Sequence, residues 1–365
     1  PDIRTPATCT AAADYDGDGD MDLFIGGGAR PGSYPLSCRS YLLRNDGGQF
    51  TDVTDSSPAL LNPGIVNAAQ WADLDDDGAF ELVLAGEWMP ISIYKVAKGR
   101  FIPHSSSLIP HHSSLIPNTS GWWNTLAISD LDGDGDLDLM AGNHGLNSRF
   151  KASATAPLTI YTNDFDGNGS VEGIFCRFTE GKEKPIHQRD ELMSQIHGLE
   201  KKYPRYALYA PASVGELFGK IALSEAERRE CQLLQTTVFI NEGGLRFTMK
   251  PLPVEAQFAP VSAILCADFD DDNRADVLMA GNTLAFDVTT GRLDASNGLL
   301  LTGNGHGDFS PQPFSKSGFY VAGVVRDMAL LRRKTGEWLL LTGVNSDRLR
   351  VFETPGITFK KGISF

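Results

Sequence analysis

No stretch of the chain approaches the roughly 18 consecutive apolar residues that a membrane helix requires, and no secretory leader is present. Basic residues are in the minority: 32 Lys and Arg stand against 46 Asp and Glu, a net charge of −14. That balance argues against nucleic acid and anionic membrane surfaces as partners. Gly-x-Ser-x-Gly and His-Glu-x-x-His are both absent, and the acids outside the acidic loops described below are scattered. The chain is therefore expected not to be an enzyme. Cysteines number only five, at 9, 38, 176, 231 and 266, so at least one is unpaired within the chain. Cys266, in Ala-Ile-Leu-Cys-Ala, reads as a buried thiol, whereas Cys9 with Cys38, or Cys176 with Cys231, could pair in an oxidising compartment. The abrupt start at Pro1-Asp2, beside a repeat, is expected of a mature or trimmed piece of a longer protein, so missing targeting signals say little about location.

What the chain has in excess is aspartate at alternating positions. Asp14-Tyr-Asp-Gly-Asp-Gly-Asp-Met-Asp22 places carboxylates at 14, 16, 18, 20 and 22, which repel one another unless a cation sits among them. Oxygen-only ligands with glycines that let the backbone turn tightly suit a hard cation such as Ca²⁺. The spacing recurs as Asp73, Asp75, Asp77, Glu81 and as Asp130, Asp132, Asp134, Asp138. Altered forms follow as Asp164, Asp166, Asn168, Glu172 and as Asp268, Asp270, Asp272, Asp276. The five loops hold 23 of the 46 acidic residues, so the acidity reads as metal demand.

Short apolar runs bracket these loops. Thr10–Ala13, Asn67–Ala72, Asn124–Ser129 and Val261–Ala267 precede them; Leu23-Phe-Ile-Gly, Leu82-Val-Leu-Ala-Gly, Leu139-Met-Ala-Gly and Val277-Leu-Met-Ala-Gly follow. Runs this short, ended by glycine, read as buried strands. Hairpins follow at 40–54, 91–102, 237–248 and 299–309, the first turning at Asp46-Gly-Gly48. Four strands per repeat, with first aspartates 59 and 57 residues apart at 14, 73 and 130, predict an all-β propeller. Six or seven blades are expected, seven favoured, in a single domain over 1–365. The unit from Val324 onward keeps strands without an acidic loop. The loop at 164 comes too soon for a full blade, so it either turns the outer hairpin of the third blade or opens an incomplete fourth.

An EF-hand would need an acid at loop position twelve, where this chain has Ile25, Leu84, Ala141, Phe175 and Met279. The acid falls at position nine instead. Side chains at positions one, three, five and nine, with the carbonyl at position seven (Asp20, Ala79, Asp136, Ser170, Arg274), would surround one ion. With all its oxygens on that ion, such a loop has no open position for substrate. The pattern Asp-x-Asp-Gly-Asp-Gly-x-x-Asp-Leu, then a short apolar strand and Gly-Gly or Ala-Gly, resembles the FG-GAP/VCBS repeats of integrin α-chain propellers and bacterial surface proteins. Leu42–Thr54 and Leu252–Pro260 are similar to VCBS proteins of the cartilage-acidic-protein type found in Bacteroidota. The resemblance implies a calcium-stabilised, usually exported propeller for adhesion or recognition, with up to five Ca²⁺. Departures at Asn168, Ser170 and Asn273 make the loops at 164 and 268 the least regular.

Three segments break the repeat. Arg189–Lys202 and Ser224–Leu234 have helical spacing, with Ser224 and Glu227 as a capping box, which predicts a helical insertion at about 181–235 that caps the propeller or docks an outer-membrane complex. His104-Ser-Ser-Ser-Leu-Ile-Pro110 repeats as His111-His-Ser-Ser-Leu-Ile-Pro117 and reads as a solvated loop, with metal binding by its histidines as the rival reading. Trp71, Trp122 and Trp123 precede loops closely; burial between blades competes with stacking on a sugar. The functional expectation is a secreted or surface-exposed calcium-binding interaction module for a protein or glycan. The alternative is a glycan-binding or polysaccharide-processing component of a surface nutrient-uptake complex.

Overall fold

The computed structural model describes residues 1, 3–97, 99–104, 119–284 and 290–354. The duplicated segment after His104, with His111 and His112, lies outside the described residues. No described helix is long and apolar enough to cross a membrane.

Each acidic loop joins two antiparallel strands, as the sequence predicts. Sheet one comprises β1 (Ala7–Ala13), β2 (Asp22–Gly27), β3 (Tyr41–Asp46) and β4 (Gln49–Asp52) in that order. Sheet two comprises β5 (Ile65–Ala72), β6 (Glu81–Met89), β7 (Ser92–Ala97) and β8 (Arg100–Pro103), with β9 (Gly121–Trp122) added along β6. Sheet three opens with β10 (Thr125–Ser129) and β11 (Asp138–Gly142) and is then interrupted. The interruption forms its own sheet from β12 (Leu158–Asn163), β13 (Glu172–Thr179), β14 (Lys182–Pro185) and β15 (Glu227–Cys231), in the order β14-β13-β12-β15. Helices α1 (Arg189–Gln195), α2 (Leu199–Lys202), α3 (Tyr206–Tyr209) and α4 (Val214–Glu225) lie between β14 and β15. Sheet three then resumes with β16 (Thr237–Asn241) and β17 (Phe247–Pro251). Sheet four is β18 (Val261–Ala267), β19 (Asp276–Gly281), β20 (Leu299–Gly303) and β21 (Phe309–Gln312); sheet five is β22 (Val325–Arg332), β23 (Trp338–Val344) and β24 (Arg350–Thr354).

The first strands pack in series, β1 on β5, β5 on β10, β10 on β18 and β18 on β22, which gives a propeller-like row of five sheets. Strand alternation explains the stacking. In β6, Leu82 and Leu84 face sheet one beside Phe24, Leu42 and Trp71, while Val83 and Ala85 face sheet three beside Leu126, Leu139 and Phe239. The glycine ending the second strand allows a close approach: a Cβ at Gly86 would stand 1.8 Å from the Ile65 carbonyl oxygen, and one at Gly281 1.8 Å from that of Pro260.

The loop at 164 does neither of the two things expected of it. It turns β12 into β13 within a complete inserted sheet, which meets sheet two through β15 against β6 and β9. The helical reading of Ser224–Leu234 is corrected. Glu227–Cys231 is strand β15, paired with Leu158–Thr162 of β12, because edge pairing in that sheet outweighs local helix propensity. The capping box belongs instead to Ser213 and Glu216 at the start of α4. Arg189–Lys202 is broken into two helices at Gly198, whose φ of +93° suits glycine. All five cysteines are free thiols. Cys176 and Cys231 flank β12 on opposite sides, two strand spacings or about 10 Å apart, beyond disulfide reach.

Candidate functional site

The loops at 14, 73, 130 and 268 follow the first strands of sheets one to four, the loop at 164 belongs to the inserted sheet, and all five share one hydrogen-bond plan. Position five accepts the N–H of position seven in every loop: Asp20 N to Asp18, Ala79 N to Asp77, Asp136 N to Asp134, Ser170 N to Asn168 and Arg274 N to Asp272, at 2.7–2.9 Å. Position nine forms the floor, accepting the N–H of position two from Tyr15, Leu74, Leu131, Phe165 and Phe269 at 2.7–3.1 Å. Where position nine is aspartate, its other oxygen accepts from the third strand. Asn45 N donates to Asp22 at 2.8 Å, Asn241 N to Asp138 at 2.7 Å and Gly303 N to Asp276 at 2.9 Å. One carboxylate thus ties the loop to two strands.

Oxygens of Asp14, Asp16 and Asp22 lie within 4.8 Å of one another, as do those of Asp73, Asp75, Glu81, of Asp130, Asp132, Asp138 and of Asp164, Asp166, Glu172. In the fifth loop the converging set is Asp268, Asp270 and Asp272, so position five replaces position nine. Oxygens bound to one Ca²⁺ at about 2.3–2.6 Å span such a distance, and the donor set is the one a hard cation takes. Burial raises Glu81 and Asp138 to about 7 and Asp276 to about 6. Bringing these groups together without a counter-charge is therefore costly. Asp76 and Asp271 take the left-handed turn (φ +54° and +64°) that Gly17, Gly133 and Gly167 supply elsewhere, and Asn273 takes it in place of Gly19 or Gly78.

Sequence reasoning missed a second place of convergence at the opposite end of the first strands. A cavity of about 430 Å³ lies between the ends of sheets two, three, four and five and the inserted sheet. Glu87, Trp88, His144, Asn282 and Thr283 line it from the ends of second strands, and Asn124, Ser262 and Arg326 from the starts of first strands. Arg149, Phe150, Phe175, Ile186, His187 and Glu191 close it from the inserted segment. The Tyr34 hydroxyl, reaching over from sheet one, accepts from Trp88 Nε1 and donates to Glu87, both at 2.6 Å. A signal was present: the residues after Ala-Gly in three repeats are Glu87-Trp88, Asn143-His144 and Asn282-Thr283. The tryptophan reading resolves toward burial. Trp71 is 6% exposed, Trp122 7% and Trp123 0%. The Trp122 ring packs edge-on against Trp88, His144 and Phe150, while Trp71 donates to the Ala11 carbonyl at 3.1 Å across sheets one and two.

Residues 14–84 match the family model of the FG-GAP-like repeat. The matched span runs from the first acidic loop through β2, β3, β4 and β5 and the second loop into β6. No curated protein matches the chain. Among solved structures, the crystal structure of Chaetomium thermophilum Sqt1 matches at 10% identity and a TM-score of 0.33, over 96% of this chain and 82% of that one. A likeness of that looseness carries no argument.

Proposed function

We propose that the chain is a calcium-stapled β-propeller that serves as an interaction module on the cell surface. The observation that carries this reading is the repeated loop: five clusters of converging carboxylates share one hydrogen-bond plan. An ion in such a loop would be held by side chains at positions one, three, five and nine and would neutralise carboxylates the fold has drawn together. Its task is structural, leaving the cavity and the inserted helices for recognition. The FG-GAP-like repeat and the resemblance to exported propellers support the surface location. A ligand that binds only the native state stabilises it by about 2.7 kcal/mol at a concentration 100 times its Kd. Excess EDTA should therefore lower the melting temperature by many degrees, and added Ca²⁺ restore it. Identical melting curves, with no calcium in the purified protein, would sink the proposal.

The cavity favours a second reading within the alternative class, a glycan-binding module. Its volume falls in the range of small-ligand sites, and aromatic walls face amide, hydroxyl and guanidinium groups. A catalytic role draws little support from its histidine. His144 Nε2 and Ser148 Oγ are 3.1 Å apart, but burial, aided by the Lys151 charge, lowers His144 to about 4, too weak a base near neutral pH. On the inserted segment, Tyr206, Leu208 and Ile221 are exposed apolar residues on α3 and α4, which suits a protein partner at that face.

A further inference from the structure

The second acidic loop differs from the others in what lies at its centre. Lys95, on β7, reaches across the sheet and places its Nζ 2.5 Å from Asp75 Oδ2, 3.1 Å from Asp77 Oδ2 and 3.5 Å from Glu81 Oε1. These are positions three, five and nine, three of the four side chains expected to hold an ion. The ammonium donates to Asp75 and Asp77 and faces the Glu81 carboxylate at ion-pair distance, so its one positive charge serves three carboxylates. Its side chain is 24% exposed, with Asp75 at 19%, Glu81 at 1% and Asp77 at 48%, so water screens the contacts with Asp75 and Glu81 poorly and the one with Asp77 more. Burial opposes the charged amine, yet the three carboxylates outweigh it and hold Lys95 above the ordinary lysine value.

The neighbouring repeats show that this is particular to one loop. Strand register places Arg44, Ile240 and Thr302 where sheet two has Lys95, since Leu43, Phe239 and Leu301 pair with the second strands as Tyr94 does. Arg44 turns to Asp46 at 3.0 Å, outside the cluster of loop one, and Ile240 and Thr302 carry no charge. In the loop at 164 His197 lies beside Asp166 at 3.5 Å, and in the loop at 268 Arg274 lies beside Asp272 at 3.7 Å. Neither cation touches three carboxylates.

We infer that Lys95 is the built-in cation of the loop at 73–81 and that this repeat is closed by an internal salt bridge in place of calcium. A Ca²⁺ ion bound to Asp75, Asp77 and Glu81 would stand about 2.3–2.6 Å from their oxygens, and the ammonium, 2.5–3.5 Å from the same three carboxylates, occupies the space between them. Two such cations side by side repel, most strongly beside the buried Glu81. The inference rests on the calcium reading of the other loops, but its failure is separable from theirs.

The experiment is a calcium count per chain by elemental analysis and titration calorimetry on four proteins: the native chain, Asp73→Ala, Lys95→Met, and the two changes combined. Asp73 does not contact Lys95, and its loss should leave the native count unchanged. Lys95→Met should gain one ion, and the combined variant should lose it again. A native chain that binds calcium and loses one ion on Asp73→Ala overturns the inference alone. A Lys95→Met protein with no added ion also overturns it. Absence of calcium from every variant overturns both this inference and the calcium reading.

Discussion

His144 shows how one residue sets a pH dependence that composition does not reveal. It lies against Trp122 and Phe150, its Nε2 bonded to Ser148 Oγ at 3.1 Å. Burial, then the Lys151 charge, lowers its pKa from 6.5 to about 4. A histidine depressed in the folded state is neutral there and protonates first in the unfolded chain. Its stabilising contribution is whole above pH 6.5 and is lost as pH falls from 6.5 to about 4. At about 1.4 kcal/mol per unit, the loss approaches roughly 3 kcal/mol. The buried carboxylates titrate in the opposite sense, since Asp138 and Glu81 are raised to about 7. The test is therefore the difference between the native chain and His144→Phe, melted in EDTA from about pH 7 down to about pH 4.5. The native chain should lose stability relative to the variant across that window. A constant difference would show that His144 does not titrate as its surroundings require.

At the scale of elements, the second strand with its terminal glycine is the part of the fold that the sequence displays most plainly. The short unbroken apolar run Leu82-Val-Leu-Ala, ended by glycine, predicts a buried strand, and the structure sends Leu82 and Leu84 one way and Val83 and Ala85 the other. The glycine has a steric cause with a sharp control. A Cβ at Gly281 would meet the Pro260 carbonyl oxygen at 1.8 Å, whereas one at Gly343, in the sheet without an acidic loop, would meet the Asp327 oxygen at an ordinary 3.6 Å. Gly281→Ala should cost about 3 kcal/mol or more, while Gly343→Ala should be nearly neutral; denaturant midpoints measure both. Comparable losses at the two positions would remove close approach as the reason for the glycine. The Ser224–Leu234 segment was illegible for an equally physical reason. Its charged residues fit a helix, but Glu227–Cys231 supplies the edge strand that β12 lacks, and a pairing partner about 70 residues distant leaves no local mark.

At the scale of the whole molecule the two ends of the sheets divide the work. The loop end was legible because each cluster is local, nine residues long and repeated. The cavity end was not, because Glu87, Asn124, His144, Phe175, Asn282 and Arg326 are separated by tens to hundreds of residues and meet only when four sheets and the inserted one assemble. The glycan reading depends on that assembly and is tested there. Asn124→Ala and Arg326→Ala trim polar groups at the cavity wall and leave the buried Trp88–Trp122–Phe150 cluster intact. If a saccharide occupies the cavity, glycan-array screening of the native chain finds a binder. Each variant then weakens that binder about tenfold or more, roughly 1.4 kcal/mol, at an unchanged melting temperature. If no glycan binds, or if binding is indifferent to both changes, the cavity is not a saccharide site. Recognition then falls to the exposed Tyr206, Leu208 and Ile221 surface of the inserted helices, where an Ile221→Lys change should abolish capture of a protein partner without touching the loops or the cavity.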